Sequence, residues 1–245
     1  MRNKRIKLTA AAAALALLGS TITTSAIAVE WGSVGFGASF GGAHVEATGA
    51  QTVYRGIGAT TPTAETDTKE DAQGVIASAH VQITLGDQWF GKGNGFALGV
   101  ERIFGEATDK KTVSTTSDIK GSATGVSSAG VQLTKVTMKN FNTIFIETPG
   151  FTPLGIYLKA GWSEMDIITG EELYTGGSYG DASVDGAVVG FGFKKSAGGF
   201  QVKTEFNYTD WDNVTLTNNG VDASVKSITA TPELWSAKFG IGYNF

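Results

Sequence analysis

The chain has 245 residues, of which 41% are apolar and 17% charged, with 34 glycines, 4 prolines and no cysteine. Without cysteine, disulfides and thiolate metal sites are excluded. The charged residues lean acidic, 23 acids against 19 bases, which argues against nucleic acid as a partner.

The first 28 residues read as a leader. Arg2, Lys4, Arg5 and Lys7 form a basic start, Leu8 to Leu18 is a short Ala-rich apolar core, and Ala26-Ile27-Ala28 is a small-x-small cleavage site. This is the pattern of a secretory signal peptide, with an apolar run too short for a membrane helix. Cleavage after Ala28 removes four of the 19 bases and no acid, leaving 15 bases against 23 acids, a net of −8 on residues 29–245. No later stretch approaches ~18 consecutive apolar residues. A membrane-spanning form must therefore be a β-barrel.

From Ser33 to Val45, Val34, Phe36, Ala38 and Phe40 alternate with Gly35, Gly37, Ser39 and Gly41. Period two is strand geometry, and here one face is apolar and the other nearly empty. Residues 46–72 are polar and read as a long loop. From Gln73 to Leu85, Val75, Ala77, Ala79, Val81, Ile83 and Leu85 alternate with Gly74, Ile76, Ser78, His80, Gln82 and Thr84. Ile76 is the one large apolar residue on that inner face. Residues 86–94, with Trp89 and Phe90 between glycines, read as a short turn.

The third strand, Gly95 to Glu106, points Phe96, Leu98, Val100 and Phe104 one way and Ala97, Gly99, Glu101 and Ile103 the other. Arg102 falls on the apolar side, which is costly unless it sits near the interface or a bulge resets the phase. Residues 107–128 read as a second loop. A fourth strand lies within Val131 to Glu147, with Phe141, Thr143 and Phe145 expected outward and Asn140 and Asn142 inward. Residues 148–153 form a turn.

In the fifth strand, Leu154 to about Ile167, Ile156, Leu158, Ala160 and Trp162 face out, and Tyr157, Lys159, Gly161 and Ser163 face in. A third loop covers 168–182. The sixth strand, Ser183 to Lys194, points Ala187, Val189, Phe191 and Phe193 outward, and Lys195 to Gly199 is a tight turn. The seventh puts Phe200, Val202, Thr204, Phe206 and Tyr208 out, with Gln201, Lys203, Glu205 and Asn207 in. A fourth loop, 211–232, precedes the closing strand, Trp235 to Phe245. There Trp235, Ala237, Phe239, Ile241, Tyr243 and Phe245 form an apolar row, and Ser236, Lys238, Gly240, Gly242 and Asn244 lie opposite. Eleven tilted residues are about the length of a transmembrane strand.

The count is eight strands with alternating long and short connections, as in outer-membrane barrels. The expected architecture is an all-β, eight-stranded, antiparallel, up-and-down transmembrane barrel over residues 29–245. The closing strand with its final Phe resembles the C-terminal signal of bacterial outer-membrane barrels. Together with Tyr157-Leu158-Lys159-Ala160-Gly161-Trp162 and Phe206-Asn207-Tyr208-Thr209-Asp210, it makes the chain similar to the small opacity-type barrels related to the OmpA transmembrane domain. That resemblance implies a place in the bacterial outer membrane, surrounded by its lipid and lipopolysaccharide. It also implies insertion by the barrel assembly machinery through Phe239, Ile241, Tyr243 and Phe245. It implies no single activity.

The inner-face charges are Glu101, Lys159, Lys203, Glu205 and Lys238. An eight-stranded barrel has an interior only wide enough for its own side chains, so charges there must pair. They read as a polar plug. Glu205 with Lys238 is the expected cross-strand pair, with Lys203 and Lys159 lower and Glu101 across the lumen. His44, at a loop edge, and His80, in mid-strand, are the only histidines. Neither has the partners of a catalytic triad or a metal site. Trp31, Trp89, Phe90, Trp162, Tyr208, Trp211, Trp235 and Tyr243 read as aromatic girdles. Asp210-Trp211-Asp212-Asn213 is a polar loop start without the spacing of a calcium loop. No catalytic, cofactor or metal residues are assigned. The expected function is a structural and surface-interaction barrel whose loop partner is open. The alternatives are a small-solute channel and a lipid-modifying enzyme.

Overall fold

The computed structural model describes residues 32–55, 64–119, 127–172, 178–218 and 224–245. The leader and Trp31 lie outside these residues. The strands are β1 (Gly32–Arg55), β2 (Ala64–Leu85), β3 (Phe96–Phe104), β4 (Ala107–Ile119), β5 (Ser127–Glu147), β6 (Ile156–Glu172), β7 (Ala182–Ala197), β8 (Phe200–Trp211), β9 (Val214–Thr217) and β10 (Ser224–Asn244), with one helical turn, α1 (Asp87–Phe90).

The strands make eight staves. Neighbours run β1-β2-β3-β5-β6-β7-β8-β10, and β10 pairs back onto β1 from Gly35↔Asn244 to Arg55↔Ser224. Every pairing is antiparallel. β4 pairs β5 and so continues the β3 stave, and β9 pairs β10 and continues the β8 stave. Closure leaves no free sheet edge around the lower barrel, which is the condition for a sheet to sit in hydrocarbon.

The alternation read from the sequence sets the faces. Phe36, Phe40, Ile83, Leu98, Leu158, Phe191, Phe206, Phe239 and Ile241 are exposed on the outer wall. Ser78, Gln82, Thr84, Lys159, Gln201, Asn207 and Lys238 are buried in the lumen. A continuous exposed apolar band of this extent is a lipid-facing surface. Room inside comes from glycine: a Cβ on Gly99 would stand 2.5 Å from Phe145 Cζ, and one on Gly192 would stand 2.8 Å from the Tyr157 ring.

Among the described residues, much of the four polar segments expected as loops is ladder. β1 and β2 stay paired through Val53↔Ala64, and β5 and β6 through Leu133↔Glu172. β4 and β9 occupy parts of 107–128 and 211–232. β1 has 24 residues, roughly 80 Å at ~3.3 Å per residue, whereas ~9–11 residues span a bilayer. One end of the barrel therefore projects well beyond the apolar band. Outside lipid both faces of a strand can be polar, so the apolar alternation vanishes while the Thr- and Val-rich backbone still pairs.

The phase of β5 is the reverse of the expected one. Phe141, Thr143 and Phe145 are buried inside, and Ile146 is exposed. Asn140 has φ 59°, and the β5–β6 register slips between Lys139 and Asn142. A bulge of one residue moves every following side chain to the other face. His44 also differs: it lies within β1 opposite Trp235, not at a loop edge.

Candidate functional site

The site is the lumen, and it has two layers. The lower layer is charged. Lys238 on β10 and Glu205 on β8 are directly opposite in the ladder, and their charged groups are 3.0 Å apart. Lys159 on β6 reaches across to donate to Glu101 Oε2 at 2.7 Å and Glu205 Oε1 at 2.9 Å. Lys238 also donates to Glu101 Oε1. Glu205 accepts further bonds from Tyr157 Oη at 2.8 Å and Asn207 Nδ2 at 2.7 Å. The structure thus brings together Glu101, Lys159, Glu205 and Lys238, with Lys203 at 4.0 Å from Glu205.

Two members were not singled out from sequence. Glu147 ends β5 and is buried. It accepts from Lys203 and, at 3.5 Å, from Lys194. Lys194 also donates to the carbonyls of Thr148 at 2.9 Å and Gly95 at 3.3 Å. The alternation of β7 signals Lys194, since it places that side chain opposite Phe191 and Phe193. Glu147 was hidden by the wrong phase of β5. Aromatic faces complete the solvation of the lysines. Lys159 Nζ stands 4.4 Å from the Phe145 ring centre, and Lys194 Nζ 5.0 Å from that of Tyr157, distances at which a cation is held by the ring quadrupole. Four lysines and three glutamates share their protons and lone pairs. The cavity bordered by Glu101, Lys159, Lys203, Glu205 and Lys238 is about 10 Å³, room for about one water.

The short-turn end is closed a second time. α1 and the segment after it fold under the mouth, where Gln201 Nε2 donates to Gly93 O at 2.6 Å. Asp87 Oδ1 accepts from Gly93 N at 3.0 Å, and Gly150 N donates to Asn94 O at 3.0 Å. Trp89 remains 72% exposed on the outside, where an interface aromatic belongs.

The upper layer is apolar. Val45, Ile103, Phe141, Met165, Ile167, Val184, Trp211, Val214 and Leu234 form one buried cluster, with Ile76 packed against it. Trp211, expected in the outer girdle, is 2% exposed and packs on Phe141 with ring centres 5.8 Å apart. The neighbouring Asp210 takes the outward position instead. Tyr208 and Trp235 do pair on the outer wall, 4.4 Å apart. The second histidine, His80, is buried edge-on against Phe145 in the lumen.

Arg102 is on the outer wall and has its own partners. It donates to Asn140 Oδ1 at 2.7 Å and Asn142 Oδ1 at 3.2 Å, and Asn140 donates to Asp166 Oδ2 at 2.8 Å. The β5 bulge supplies those amides, so the bulge and the outward arginine answer each other.

No protein-family model and no curated protein matches the chain. Among solved structures, the outer membrane protein OprG of Pseudomonas aeruginosa aligns with a TM-score of 0.49 at 12% identity, over 88% of this chain and 97% of that one. The outer membrane protease OmpT of Escherichia coli aligns with a TM-score of 0.44 at 12% identity, over 87% and 97%. Neisserial surface protein A aligns with a TM-score of 0.32 at 11% identity, over 83% and 97%. The closed ring of eight staves, the apolar outer band and the filled lumen with its charged layer are the fold of an outer-membrane β-barrel.

Proposed function

We propose that this protein is a structural and surface-interaction barrel of the bacterial outer membrane, with its long β-extended end outward and its lumen shut. The observation that supports this most is the lumen: four lysines and three glutamates fill it, the cavity among Glu101, Lys159, Lys203, Glu205 and Lys238 is about 10 Å³, and the turn from Gly86 to Gly95 lies beneath. A small-solute channel needs a continuous wet path, and a hydrolase needs a nucleophile and base in reach of substrate. Neither arrangement is needed to account for the buried groups, because each charge in the plug has a partner. The surface available to other molecules is then the projecting end.

Planar-bilayer recording of the folded protein tests this reading. The expected result is no stepwise conductance in the wild type. Reproducible current steps would overturn the closed-lumen reading in favour of a channel. On the same reading, the closing strand is what the assembly machinery engages. Phe239, Ile241 and Phe245 are exposed in a row, with Tyr243 half-buried among them. Phe245→Ala should lower the amount of folded protein in the outer membrane more than Ala237→Ser does, measured by heat-modifiable migration in membrane fractions.

A further inference from the structure

The wall of the upper barrel is interrupted. The β2–β3 ladder ends at Ala77↔Phe104. Gly105, at φ 135°, and Glu106 then break the stave, and β4 resumes from Ala107↔Met138 against β5. Among the described residues, β2 from Ala64 to Ile76 is laddered on its β1 side alone. A seam therefore separates the upper part of β2 from Gly105, Glu106 and β4.

Behind the seam lies a cavity of about 350 Å³. Its inner walls are Val45, Ile76, Ile103, Phe141 and Leu234, all from the apolar upper layer. The lower lip of its mouth is apolar: Val75 is 84% exposed and continues into exposed Ala77 and Phe104 on the lipid-facing band. The upper lip carries exposed Gln73 and Glu106. An open ladder edge is not tolerated in hydrocarbon, so the seam belongs where the apolar band meets polar surroundings. A dry apolar space takes up an apolar guest, and this volume sits at the small end of ligand pockets, which run ~300–1,000 Å³. Beneath the cavity the charged plug blocks onward passage. The apolar lip, the polar lip and the closed floor together describe a slot for one chain with a polar head.

We propose that this cavity binds the single hydrocarbon chain of a membrane amphiphile. The chain enters sideways through the seam between the upper part of β2 and the Gly105–β4 segment, and its polar head stays at Gln73 and Glu106. This goes beyond the structural reading of the barrel, since a shut lumen is compatible with an empty or an occupied upper cavity.

The test uses the full-length folded protein in phosphatidylcholine vesicles containing a small fraction of palmitic acid with a diazirine at its chain end. After photolysis, labelled residues are mapped by mass spectrometry. Labelling of the inward residues Ile76, Ile103 or Leu234, competed away by unlabelled palmitic acid, is the expected result. A Cβ on Gly74 meets no atom within 4 Å, so Gly74→Trp should fill the mouth and abolish the inner labelling. Val189→Trp, on the lipid-facing wall of β7 and away from the seam, should leave it intact. The proposal is overturned if wild-type label lands only on outward residues such as Val75 and Phe104, or if competitor does not displace it. It is likewise overturned if Gly74→Trp leaves inner labelling unchanged. Cross-links from β2 to a second copy, with no inner label, would mean that another molecule of this chain covers the seam. Should Gly74→Trp fail to fold, the wild-type pattern and its competition decide the matter.

Discussion

The two layers of the lumen share the same eight staves and use opposite chemistry. The lower layer is held by Glu101, Glu147 and Glu205 among four lysines. The upper layer is held by Trp211, Phe141, Met165 and their apolar neighbours. The charged layer sits where all eight ladders are intact. The apolar layer sits where two staves break, at Gly105–Glu106 and at Asp212–Asn213. A buried charge is tolerable only if several directed partners are fixed in place, which an unbroken ladder provides. Apolar packing is non-directional and accommodates an irregular wall. Position in the barrel thus decides which kind of filling is stable.

The largest expected effect breaks the charged layer at its centre. Glu205→Ala leaves Lys159 and Lys238 short of a carboxylate, at a cost of about 3–5 kcal/mol for a dry site. Chemical unfolding in detergent should show this loss, and Thr204→Ala on the lipid side should show far less. Glu205→Ala with Lys238→Ala should recover part of the loss, because the second change removes a stranded charge. Strictly additive losses would mean that the pair is not coupled, despite the 3.0 Å separation.

The apolar layer should respond differently. Leu234→Ala borders the upper cavity, where neighbours have room to relax, and should cost about 2–3 kcal/mol, the low part of the range for such truncations. Combined with Glu205→Ala it should be additive within ~0.5 kcal/mol, because the two residues share no partner. Strong coupling in that cycle would show that the layers are one unit.

Two smaller effects sharpen the contrast. Tyr157→Phe removes one bond to the Glu205 carboxylate, and a bond to a charged group contributes about 1.5–3 kcal/mol. Urea midpoints should fall without a change in slope. Arg102→Ala on the outer wall should cost about 1 kcal/mol, as the loss of exposed side-chain hydrogen bonds does, despite its two bonds to Asn140 and Asn142. A loss as large as that of Glu205→Ala would place Arg102 in a far drier setting than its exposed position indicates.

The inner and outer faces of β1, β2, β3, β6, β7, β8 and β10 near the membrane were legible because lipid outside and a narrow polar lumen inside impose strict alternation. Glu205 and Lys238 were legible as a pair for the same reason: both are inward on neighbouring staves. β5 was not, because one bulged residue at Asn140 reverses the phase, and nothing in the order Lys139-Asn140-Phe141 fixes which side takes the extra residue. Glu147 was lost with it. Trp211 was misplaced because an aromatic near a strand end suits a girdle and an apolar core equally well.

By itself the amino-acid sequence determined the number of staves, the closed barrel and the lipid-facing row, since these follow from period-two patterning of single strands. The tertiary structure alone decided how far the strands run past the apolar band, that Lys194 and Glu147 complete the plug, and that the upper wall opens between β2 and β4. Each of these depends on which backbone groups find a partner across the ladder. That is settled between staves distant in sequence, where polar composition carries no register.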